Sequence, residues 1–68
     1  MTIEEIFVKR TRQKISQRSV ADAMRISPAT LVDIERGRVP VAESYLALLD
    51  EAIDGLVAQR AKKEGVLA

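Results

Sequence analysis

The stretch ISQRSVADAMRISPATLVDIERG, residues 15–37, decides the fold. Its apolar positions keep helical time through Val20, Ala21 and Met24, break at Arg25-Ile26-Ser27, and resume with Leu31 and Ile34. Ser16 and Ser27 each stand where a helix N-cap belongs. Pro28 follows Ser27, and proline at a first helical position gives up no donor the helix needs. Gly37 closes the second run. A connection of about three residues forces two such helices to cross steeply rather than lie antiparallel. Ala21 is expected at the crossing, where a larger side chain would push the helices apart, with Val20, Met24, Ile26, Leu31 and Ile34 facing inward. Pro28, Ala29, Thr30, Asp33 and Arg36 are then left on the outside of the second helix. A protruding helix with small polar residues at its start fits the DNA major groove.

Upstream, Thr2 and Glu5 have the spacing of a capping box, and Ile3, Ile6 and Phe7 follow, so a first helix is predicted over residues 3–13. Downstream, Arg38-Val39-Pro40 reads as an extended connection. From Val41 or Ala42 a longer helical pattern begins. Its seam is Leu46, Leu49, Ile53 and Leu56, flanked by Tyr45, Leu48, Ala52 and Val57. Gly55 interrupts that pattern at about 1 kcal/mol relative to alanine. It marks either a break into two helices or a close backbone contact. The expected fold is all-α, with four or five helices in one domain over residues 1–68. The two-helix unit occupies 16–37, and a C-terminal helical segment over 41–63 serves as core and dimer interface. Its apolar arc is broader than a three-helix unit can cover, so Leu49, Ile53, Leu56, Val57 and Arg60 are expected to face a second copy.

At 68 residues the chain has room for one core, and 47% hydrophobic with 31% charged residues suits a soluble globular domain. It contains neither cysteine nor histidine. Disulfides, thiolate chemistry, the usual zinc ligands and the commonest general base are therefore excluded. Glu4-Glu5 and Asp50-Glu51 are adjacent pairs that point apart on a helix, and no phosphate loop or nucleophile elbow is present. No enzymatic constellation emerges. No apolar run suits a membrane span and no signal-peptide pattern opens the chain, so a cytoplasmic location is expected. Net charge is only +1, but its distribution is uneven: residues 9–38 carry eight cations against three acids, and both flanks are acidic.

The stretch resembles the helix-turn-helix of the phage repressor and Cro family, the XRE type. The resemblance rests on Ser16-Gln17, Val20-Ala21, Met24, Ile26-Ser27-Pro28, Leu31 and the Ile34-Glu-Arg-Gly37 ending. It covers about residues 5–53 and implies a lambda-repressor-like fold. It further implies that Gln17 and Ser27 hold phosphates, and that Pro28, Ala29, Thr30 and Asp33 approach base edges. Arg36 and Arg38 would return to the DNA backbone, with Lys14 and Arg18 as further basic contacts. It also implies an ion pair between Arg10 and Glu35. Two positions depart from the family pattern. Arg25 stands where glycine is usual, so it must accept a left-handed backbone or a reshaped turn. The readout face carries Asp33 and no Gln, Asn or Arg; Asp can accept from cytosine N4, and Ala29 or Thr30 can touch a thymine methyl.

The expected function is a sequence-specific DNA-binding regulator, a homodimeric repressor placing residues 28–36 in the major groove of palindromic half-sites. Its partner is double-stranded DNA, with no cofactor, metal, membrane or small-molecule ligand expected. Two other classes fit the same residues. One is an antitoxin-like module that also binds a protein partner; the other is an interaction domain that has lost DNA binding.

Overall fold

Three helices begin in the same way, with an N-cap hydroxyl accepting from the backbone N–H three residues on. Thr2 accepts from Glu5 at 3.3 Å, Ser16 from Ser19 at 3.1 Å and Ser27 from Thr30 at 3.2 Å. These caps open α1 (Ile3–Arg12), α2 (Gln17–Met24) and α3 (Pro28–Glu35). A fourth helix, α4, runs Glu43–Leu67. The computed structural model describes the backbone of residues 1–67 and the side chains through residue 63. Among the described residues there is no strand, and no helix is long and apolar enough to cross a membrane.

The same three helices also end alike. Ile15 N–H reaches Arg10 O and Lys14 N–H reaches Thr11 O, both at 3.1 Å. Ile26 donates to Ala21 O at 2.9 Å and Arg25 to Asp22 O at 3.2 Å. Arg38 donates to Asp33 O at 2.9 Å and Gly37 to Ile34 O at 3.0 Å. This paired closure satisfies the last carbonyls of a helix and needs one residue in the left-handed region. Lys14 (φ 55°), Arg25 (φ 58°) and Gly37 (φ 74°) supply it. Glycine does so without a Cβ clash, whereas Lys14 and Arg25 each carry strain of about 1 kcal/mol. The α2–α3 turn is thus closed in the ordinary way, with a left-handed arginine in the glycine position.

The core is assembled around the α2–α3 crossing. Ala21 has no exposed surface there, and Val20, Leu31 and Ile34 pack beside it. Ile6 from α1 and Ile15 from the α1–α2 turn close one side, and Leu46, Leu49 and Ile53 of α4 close the other. Ile15 was not anticipated as core; the closure after α1 turns it inward. Phe7 is 43% exposed, and the Arg10 guanidinium lies 5.4 Å from its ring centroid.

Helix α4 decides one open alternative and corrects part of the expected dimer interface. Gly55 does not divide it, so of the four or five helices expected there are four. Leu49 and Ile53 are wholly buried against the chain's own α1–α3 body, so neither can meet a second copy. Leu56 and Val57 flank that core half-buried. Arg60 is exposed but already engaged: it donates to the Gln13 carbonyl at 2.6 Å and to Gln13 Oε1 at 3.2 Å, at the C-terminal end of α1. A cation is favoured there by the unpaired carbonyls. A second tie joins the same helices. Lys9 Nζ sits between Asp50 at 2.7 Å and Asp54 at 2.6 Å, one turn apart on α4. Hydrogen bonds from these two carboxylates raise its amine above the ordinary 10.5. Beyond Val57 the side chains of residues 58–63 are all exposed, with Arg60 tied back to Gln13.

Candidate nucleic-acid interface

The outward half of α3 is open. Pro28, Ala29 and Thr30 are exposed at its N-terminal end, while Leu31 and Ile34, on the opposite side, are fully buried. The Thr30 hydroxyl lies 2.8 Å from Ser27 Oγ, so cap and readout position share one small network. Asp33 is half-buried one turn on, with the exposed Arg38 guanidinium 3.4 Å from its carboxylate. That contact offsets the carboxylate's repulsion for a nearby phosphate. Because the pair is largely solvated, it is worth little in stability.

What fixes α3 to the body is a buried carboxylate. Glu35 receives Arg10 Nε at 2.6 Å and Arg10 Nη2 at 3.0 Å, with both side chains less than a tenth exposed. Arg10 Nη1 also donates to the Ile15 carbonyl at 2.9 Å, which ties in the α1–α2 turn. Gln17 Nε2 donates to Glu35 Oε1 at 2.8 Å. Helices α1, α2 and α3 therefore meet on one carboxylate, and no buried side-chain polar atom among the described residues lacks a partner. The Gln17 amide, half-buried at the start of α2, is aimed by this network rather than left free. Phe7, Gln17, Val32, Glu35 and Arg36 together line a shallow depression beside α3. Phe7 and Val32 were not expected on that rim. Their apolar character reads as core in sequence, and only the packing of α1 against α3 exposes them.

The exposed charge of residues 12–38 is cationic. Arg12, Lys14, Arg18, Arg25, Arg36 and Arg38 are all exposed; Arg36 and Arg38 stand at α3 itself, while Arg12 lies beside Glu5 and Val8 on α1. Of the three acids in the same stretch, Glu35 is buried under Arg10 and Asp33 faces Arg38, which leaves Asp22 as the exposed exception. Such a stretch supplies phosphate-neutralising groups, while the residues at the start of α3 are small enough for a backbone approach to base edges.

A helix-turn-helix family model matches residues 8–55, well over half the chain. No curated protein and no solved structure gives a significant match. The matched segment takes in all of α2 and α3, the second half of α1 and the half of α4 that packs on them.

Proposed function

The chain belongs to the XRE-type helix-turn-helix family, a family of DNA-binding regulators, and from that premise we propose that it is a sequence-specific repressor acting as a homodimer. Each copy places α3 in the major groove of one half-site, the two half-sites lying about one helical turn apart. Ala29, Thr30 and Asp33 read base edges. Gln17, Ser27, Arg36 and Arg38 hold phosphates, with Lys14 and Arg18 adding charge. The observation that carries this reading is the open N-terminal half of α3, with Arg36 and Arg38 exposed at the other end of the same helix. Repression then follows from occupancy of the operator.

Selection of bound fragments from a random DNA library tests it directly. The expected outcome is a two-fold symmetric motif with half-sites one turn apart. A single unsymmetric motif would remove the homodimer and keep the groove reading. No enrichment, together with no affinity for random duplex even at low salt, would instead favour an interaction domain that has lost DNA binding.

A further inference from the structure

Gly55 has no role inside the chain. It sits in the middle of α4 on an exposed face, with helical backbone and empty space where a Cβ would stand. Neither turn geometry nor a close neighbour calls for glycine there. The same outward stripe, opposite the face that packs on the body, carries Ser44, Leu48, Glu51, Gly55, Ala58 and Lys62, at heptad-like spacings. Leu48 is 52% exposed, the most exposed large apolar side chain among the described residues.

Charge along α4 is polarised. Glu43, Asp50, Glu51 and Asp54 lie before Gly55, and Arg60, Lys62 and Lys63 lie after it with Glu64 as the single acid there, so the halves carry −4 and +2. We propose that this outward stripe of α4 pairs with α4 of a second copy in antiparallel orientation, the two helices crossing at Gly55. The inference rests on the homodimer of the proposed function and names its interface. Antiparallel pairing lays the acidic half of each helix along the basic half of the other, whereas parallel pairing would oppose Glu51 to Glu51 and Lys62 to Lys62. About Gly55, Leu48 meets Lys62 of the second copy. The lysine stem covers the leucine, and its ammonium reaches Glu51 one turn along. At the crossing, paired glycines let the backbones approach closely. Asp50, Asp54 and Arg60 are held within their own chain, which leaves Glu51 and Lys62 as the charges that choose the partner's direction.

Sedimentation equilibrium of the full chain and three variants tests the interface. The expected result is a dimer that weakens with added salt. Gly55→Leu raises its dissociation constant by at least roughly tenfold. Diluted until both chains are monomeric, the same variant keeps its helical circular dichroism and melts no lower than wild type, because leucine is the better helix former and has room. Lys62→Glu alone weakens the dimer, and Glu51→Lys combined with Lys62→Glu restores it. A Gly55→Leu chain that dimerises as tightly as wild type, or a double swap that restores nothing, overturns the interface and leaves the homodimer to another surface. A wild-type chain that stays monomeric at roughly millimolar concentration overturns both. Affinity for a single half-site, measured beside these, reports on α3 alone and separates either failure from failure of the DNA reading.

Discussion

Glu35 is one carboxylate on which three helices converge. Replacing it with the nearly isosteric glutamine keeps the shape and strands the Arg10 charge in a site less than a tenth exposed. Removing one partner from a buried pair costs about 3–5 kcal/mol, so Glu35→Gln should lower the unfolding free energy by that amount, read as a lower urea midpoint with an unchanged slope. A loss under about 1 kcal/mol would mean that Arg10 is satisfied without the pair. Arg25→Gly should move the other way, raising stability by about 1 kcal/mol through relief at φ 58°; no gain would show the left-handed arginine to be unstrained. Both residues stand out in the sequence because the motif fixes their neighbours. Lys14 has the same backbone strain, yet nothing local marks it. Its conformation follows from the closure that brings Ile15 into the core, and that closure depends on tertiary packing.

Among the elements, α1, α2 and α3 were legible nearly to the residue. Their starts are local chemistry: Thr2, Ser16 and Ser27 each serve a donor three positions away. The long helix was harder for a physical reason. A wide apolar arc announces burial without saying which part faces the chain's own body, so Leu49 and Ile53 were assigned to a second copy although they are wholly enclosed by the first. Arg60, exposed on the same helix, holds Gln13, a contact the sequence hides because the partner lies 47 positions away. The Lys9 clamp on α4 was equally invisible. It predicts an alkaline weakness. Because folding raises the Lys9 amine above 10.5, the clamp contributes fully at pH below that value and fades as pH climbs through the raised one. The melting temperatures of wild type and Lys9→Met should therefore differ at neutral pH and converge in strong alkali. A constant gap across that range would assign the clamp's effect to packing instead of charge.

At the scale of the whole molecule, a net charge of +1 conceals a cationic stretch over residues 9–38 and an acidic stretch on α4. Affinity for random duplex should fall linearly on logarithmic axes as salt rises, with a slope of about 0.9 per phosphate neutralised. Arg38→Ala should flatten that slope by about one; an unchanged slope would place Arg38 away from the backbone and leave it as the partner of Asp33. The candidate site was readable as residue types, while its shape was not, since the depression beside α3 and the aim of Gln17 exist only once three helices share Glu35. The arrangement also separates two selective pressures. Ala29 is exposed, and the Thr30 hydroxyl touches the Ser27 cap but not the core, so exchanging either leaves Leu31, Ile34 and Glu35 undisturbed. On the proposed reading, a lineage built on this scaffold can drift from one operator to another by surface substitutions alone, without passing through unfolded ancestors.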